Sequence, residues 1–216
     1  MNKKSSYTSA SSCIGLYLTL GLLISIIGFL PFLDVEQQKN LLVEGGFFEI
    51  LTVYLYILCL ILICVSWPLQ KILSKWYFSA LIVLFALREL DYDKTYFTHG
   101  VLKTKQYFSD LVGFPELLIS IGVLIFIIGV LASIVLREKN NFFKGVISFR
   151  QSQLAVLTSI ILVIITKTID GIERKFGIDL PPPGERFALI VEEVGEMGIP
   201  IMFAIAILSW RNKNQT

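Results

Sequence analysis

The chain has 216 residues, 55% of them hydrophobic and only 17% charged, with a mean hydropathy of +0.72. Such a balance excludes a soluble globular domain of this length and describes a polytopic membrane protein. A net charge of +2 identifies no partner by itself, and nothing points to nucleic acid, so the expected partner is the lipid bilayer.

Residues 1–12 are polar. Cys13 to Leu33 is an uncharged run, too long for a signal-peptide core and without a small-x-small cleavage site after it. It reads as a first transmembrane helix, because about 20 apolar residues are enough to span. Further helices are expected over about 47–69, 76–94, 115–136, 152–170 and 187–210, which makes six in an all-α bundle forming one transmembrane domain. The connection at 95–114 carries Tyr96, Phe97, Tyr107 and Phe108 and suits an interfacial segment. Pro181-Pro182-Pro183-Gly184 reads as a turn before the last helix. Cys13, Cys59 and Cys64 all fall in apolar runs and read as small core residues without a disulfide framework.

Orientation follows from the basic residues. With a cytoplasmic N-terminus, the inner segments carry Lys3, Lys4, Lys71, Lys75, Arg137, Lys139, Lys144, Arg150, Arg211 and Lys213, against the single acid Glu138. Several of the remaining basic residues, such as Arg88 and Lys167, sit within helices, so the loop bias favours both termini inside. Nearly every acid then lies at the opposite end of the bundle.

Arg88-Glu89-Leu90-Asp91-Tyr92-Asp93-Lys94 follows the apolar run from Tyr77 to Leu87 with no turn signal between them. Its charges are expected on the last turns of a membrane helix, with Arg88 and Asp91, and Glu89 and Asp93, sharing faces. Charge at mid-bilayer costs on the order of 2.5–3.5 kcal/mol per residue and marks a functional site by default. Glu49 and Glu116 open the second and fourth helices, where the helix dipole alone favours an acid. Lys167, Asp170 and Glu173 close the fifth. Glu192, Glu193 and Glu196 open the sixth, with Glu196 three and four residues from the other two.

These acids outnumber the embedded bases, so they are expected to bind a cation, keep protons or pair with Arg88 and Lys167. Glu192, Glu193, Glu196, Asp91, Asp93 and Glu49 are the candidates for holding a metal ion or proton. A divalent cation on carboxylates is the cofactor this composition would take. Glu89, Asp91, Asp170 and Glu193 are the candidate catalytic acids or bases, and Arg88 and Lys167 the counter-charge for an anionic group. Pro200 has no N–H to give the Glu196 carbonyl, though Gly195, Gly198 and Pro200 also read as a plain kink with close packing. His99 reads as a solvated loop residue, and Tyr54 and Tyr56 as packing residues.

An internal echo joins the two halves. Gly46-Phe47-Phe48-Glu49 and Gly113-Phe114-Pro115-Glu116 each open a hairpin, and the return helices end in Arg88-x-x-Asp91 and Lys167-x-x-Asp170. The echo fits a repeated hairpin of the transporter kind, although four-residue matches also arise by chance in apolar sequence. The segment 137–151 reads as a basic loop that lengthens the second hairpin.

Arg88-Glu89-Leu90-Asp91-Tyr92-Asp93-Lys94 together with Glu192-Glu193-x-x-Glu196 resembles a group of bacterial inner-membrane proteins with no assigned activity. The resemblance implies a bacterial inner membrane and supplies no chemistry. Membrane hydrolases of the alkaline-ceramidase type offer only an analogy, because their metal site needs several histidines and this chain has one. Two readings stay open: an enzyme or ligand-binding protein acting at a lipid headgroup, and a cation- or proton-linked transporter. A structural ion-pair network is the simpler alternative to both. The apolar inner halves Leu58–Val65, Ile121–Ala132 and Ile201–Leu208 favour a one-sided site.

Overall fold

The computed structural model describes residues 13–43, 45–172, 177 and 179–212. Lys3, Lys4 and Lys213, used for orientation, and Glu173, placed at the end of the fifth helix, lie outside the described residues. Among those described there are helices and no strands. The elements are α1 (Ile14–Phe29), a 3-10 turn (Leu30–Phe32), α2 (Val35–Leu42), α3 (Phe47–Ser66), α4 (Leu69–Ser74), α5 (Trp76–Glu89), α6 (Tyr92–Tyr96), α7 (Lys105–Phe108), α8 (Phe114–Ile147), α9 (Gln151–Ile169) and α10 (Pro182–Asn212). Four stretches are long and apolar enough to cross a membrane: Ile14–Phe32, Val35–Ser66, Phe114–Ile147 and Gln151–Ile169. Lipid-length helices with many exposed Leu, Ile and Phe side chains are what a bilayer solvent selects.

Three expected boundaries move. The third predicted helix, 76–94, stops at Glu89. Asp91 turns into the left-handed region (φ 50°), a conformation that Asp tolerates better than most residues, and α6 starts afresh. Acids at a helix C-terminus also oppose its dipole, which favours ending the helix there. The basic loop expected at 137–151 is mostly helix: α8 runs on to Ile147 and ends just before Phe149, whose φ is 51°. Charge marked the edge of the apolar run, while no Pro interrupted the helix. The last helix begins at Pro182 rather than after the proline cluster. Proline is well placed in a first turn, where its missing N–H leaves no bond unmade.

Helix α10 is the hub, packing against α9, α3 and α1. Leu16, Leu23 and Leu30, spaced by seven residues along α1 and the turn after it, meet Ile190, Val194 and Met197 of α10 with Ala155 of α9. On the other flank Tyr56, Cys59 and Ile63 of α3, with Trp67 just after it, pack with Ile82 of α5 and with Ile199 and Ile207 of α10. Gly195 and Gly198 sit in these contacts. A β-carbon on Gly195 would lie 2.6 Å from Thr166 Cγ2, and one on Gly198 2.8 Å from Leu23 Cδ1. Successive long helices alternate in direction, which gathers Glu49, Glu89, Glu116, Asp170 and Glu192–Glu196 at one end. Trp67, Lys71, Lys75, Glu138 and Trp210 gather at the other.

Candidate functional site

The acid-rich end is built on one carboxylate. Glu196, 8% exposed, projects from α10 beside the helices that end at Glu89 and Ile169. Its Oε1 accepts from Arg88 Nη2 at 2.5 Å, and Lys167 Nζ lies 3.1 Å from the same oxygen. Arg88 sits in the last turn of α5 and Lys167 in the last turn of α9, where a cation complements the helix dipole. The two basic residues aligned by the internal echo thus converge on a single atom. Lys167 also reaches Asp170 Oδ2 at 3.3 Å.

Glu89, 7% exposed, lies within hydrogen-bonding reach of Glu196. A hydrogen bond between two carboxyl groups requires one of them to be protonated, because only a protonated carboxyl has a hydrogen to donate. Glu192 and Glu193 flank the group from the preceding turn of α10, close enough to interact electrostatically with Glu196, and Glu193 also with Glu49. Arg88 and Lys167 both serve Glu196. Among the described residues, Glu89, Glu192 and Glu193 form no ion pair.

Not every expected member joins. Asp91 pairs with Lys94 at 2.9 Å on the exposed side, so the expected Arg88–Asp91 face does not form. The left-handed turn at Asp91 takes it and Asp93 out of register with Arg88 and Glu89; Asp93 instead lies beside Gly100. Glu49 accepts from the backbone N–H of Gly45 at 2.6 Å. Glu116 accepts from the Thr98 N–H and from Gln106 Nε2, both at 2.7 Å, and so fastens the 97–108 connection to α8. His99 serves that same connection through its backbone N–H, which donates to Gln106. Among the described residues no three His, Cys, Asp or Glu side chains are arranged to hold a metal ion, so the expected divalent-cation site is not formed by them.

No protein-family model, curated protein or solved structure matches this chain. Its chemistry rests on the geometry alone.

Tyr56 belongs to the site, although its residue type read as packing. It is fully buried, stacks on Phe85 with ring centroids 5.9 Å apart, and interacts electrostatically with Glu89, Arg88 and Glu196. A signal for it existed. Glu49, Thr52, Tyr56, Cys59 and Ile63 recur at alternating spacings of three and four, which is one face of a helix. Tyr54, off that face, is exposed.

Deeper along the bundle the polar groups close on themselves. Thr52 bonds the Phe48 carbonyl, Ser159 the Val156 carbonyl and Thr166 the Val163 carbonyl, while Cys59 Sγ donates to the Pro200 carbonyl at 3.1 Å. Farther along α3 and α10 lie the buried Ile63, Met202 and Ile207.

Proposed function

We propose that this chain is a six-helix protein of a bacterial inner membrane, with both termini cytoplasmic, whose outer end holds a one-sided proton-exchanging carboxyl site. The observation that carries the reading is the contact between Glu89 and Glu196, with Arg88 and Lys167 both meeting Glu196. Glu196 is the fixed anion and Glu89 the group that carries the proton. Arg88, Tyr56, Glu193 and Glu196 face Glu89, and Lys167 and Glu192 face Glu196. Glu192 interacts with both Glu196 and the exposed Asp170, which offers the proton a route toward the outer surface. A carboxylate that gives and takes a proton at an interface is suited to general acid–base work on a lipid headgroup. The self-satisfied Thr52, Ser159 and Thr166 and the apolar layer beneath them support a single mouth rather than a path across the bilayer.

A transport reading draws support from one feature. Arg88 and Lys167, which end the return helices of the two hairpins, meet at one oxygen as paired halves would. The six-span count adds α5 and α10 to the four apolar stretches. Helix α5 has 14 residues, about 21 Å at 1.5 Å per residue, which is short of the ~30 Å hydrocarbon core, so its span requires local thinning of the bilayer or its flanking segments.

Infrared spectroscopy of the reconstituted protein tests the site. We expect a protonated-carboxyl C=O stretch that shifts in deuterium oxide and loses one group's amplitude in Glu89→Gln. Glutamine can still donate to Glu196, so the variant should fold. A wild-type spectrum without the band, or an unchanged band in Glu89→Gln, would sink the proposal. Topology is tested separately with a membrane-impermeant thiol reagent on intact cells. Cysteine at exposed Thr104 should label, and cysteine at exposed Asn140 should not; the reverse pattern would place the acid-rich end in the cytoplasm.

A further inference from the structure

The basic end of the bundle carries a second cluster, independent of the carboxyl site. Trp67 at the end of α3, Phe78 of α5 and Trp210 of α10 pack edge to face, with the two indoles 5.1 Å apart. Lys71 Nζ lies 4.6 Å from the Trp67 ring and 4.8 Å from the Trp210 ring, and Lys75 Nζ lies 4.3 Å from that same Trp210 ring. Arg137 of α8 stands over Tyr77 at 5.6 Å and donates to the Ser74 carbonyl. Three cations from the α4 turn and α8 therefore face one apolar–aromatic wall.

Among the described residues, one acid answers them. Glu138 takes Lys75 and accepts from the Tyr77 hydroxyl at 2.6 Å. Among the described residues Lys71 and Arg137 have no carboxylate partner, so two positive charges remain. Cation–π contact offsets about 0.5–2 kcal/mol of the cost of crowding them, but it neutralises nothing. Burial and the charge of Lys75 both push the Lys71 ammonium below its ordinary pKa, as expected of a cation held without an anion. A separate observation points the same way. Trp67 is 95% buried, and its Nε1, like Ser66 Oγ next to it, is buried with no hydrogen-bond partner. An indole N–H can only donate, so the orphan calls for an acceptor.

We propose that Lys71, Arg137 and the Trp67–Trp210 pair form a binding site for a phosphate anion at the basic face of the membrane. The two sources of that chemistry are the headgroup of an anionic phospholipid and free phosphate. Lys71 and Arg137, on either side of Lys75 along the aromatic wall, supply the charge, the Trp67 indole and Ser66 hydroxyl the neutral donors, and the wall a seat for glycerol and the first methylenes. Basic pockets between helices, backed by tryptophan at the interface, are where such headgroups settle.

The three tryptophans of the chain, Trp67, Trp76 and Trp210, all lie at this end, so tryptophan emission reports the site. The full chain is reconstituted in phosphatidylcholine vesicles with increasing phosphatidylglycerol, using brominated acyl chains on one lipid or the other. Brominated phosphatidylglycerol should quench saturably and more strongly than brominated phosphatidylcholine. Lys71→Gln should weaken the apparent affinity about tenfold, as loss of one charge-assisted hydrogen bond does. Arg137→Gln should weaken it in the same direction, which guards against a folding defect confined to one variant. Inorganic phosphate added in detergent distinguishes the sources: a saturable emission change there that Lys71→Gln also weakens assigns free phosphate, and none assigns the lipid. Equal quenching by both lipids with no phosphate response overturns the proposal, as does a response that both variants leave intact. Lys71 is then only a topology residue resting on indole.

Discussion

Glu89→Gln/Glu196→Gln is expected to destabilise the folded protein by about 3–5 kcal/mol, the loss found when a buried charge is left without its partner. The doubly substituted site leaves no carboxylate touching Arg88, whose guanidinium is two-thirds buried at the end of α5. Neither single substitution should approach that loss. In Glu89→Gln the Arg88–Glu196–Lys167 arrangement survives, and glutamine replaces the donor. In Glu196→Gln the neighbouring Glu89 can give up its proton and become the anion for Arg88, while Asp170 keeps Lys167 at 3.3 Å. The double substitution should therefore exceed the sum of the singles by well over the ~0.5 kcal/mol scatter of independent sites. Denaturant titration of all four proteins in one detergent measures the excess. Additive losses would mean that Glu89 and Glu196 do not share a role, and the proton-exchanging reading would lose its basis.

How much of this was visible in the sequence depends on whether a residue acts within its helix or across helices. The apolar runs located the long helices to within a few residues at Phe47, Gln151 and Ile169, because length and hydropathy are properties of a segment alone. The convergence of acids at one end followed from the same alternation. The break at Asp91 was not visible, since no Gly or Pro marks it and only the left-handed backbone there redirects Asp91 and Asp93 away from Arg88. Nor did the charges after Leu136 show that α8 continues: they record where lipid ends, while the helix continues through Lys144. Spacing and Pro200 already drew attention to Glu196, but that Arg88 and Lys167 both meet its Oε1 came only from packing. Lys71 and Lys75, counted for orientation, gave no hint of Trp210, which lies more than 130 residues away along the chain.

Gly195→Leu should cost about 1–3 kcal/mol or more through overpacking, and the place where the strain falls can be tested by rescue. Elsewhere in a helix, Gly to Ala is favourable by about 1 kcal/mol. At Gly195 even the alanine methyl would lie 2.6 Å from Thr166 Cγ2, and a β-branched side chain has little rotamer freedom with which to retreat. Gly198 is more forgiving, because its nearest neighbours are the ends of Leu23 and Leu162. The Gly195–Thr166 contact adjoins the 3.1 Å approach of Lys167 to Glu196, one residue along on each helix, so spreading α9 from α10 also loosens the ion pair. Thr166→Ser removes the offending methyl and keeps the hydroxyl that bonds the Val163 carbonyl. Gly195→Ala should therefore destabilise the wild-type background and become neutral or stabilising in Thr166→Ser, a reversal of sign that denaturant titration can read. If Gly195→Ala has the same effect in both backgrounds, the close approach of α9 and α10 at Thr166 is not what holds Lys167 on Glu196.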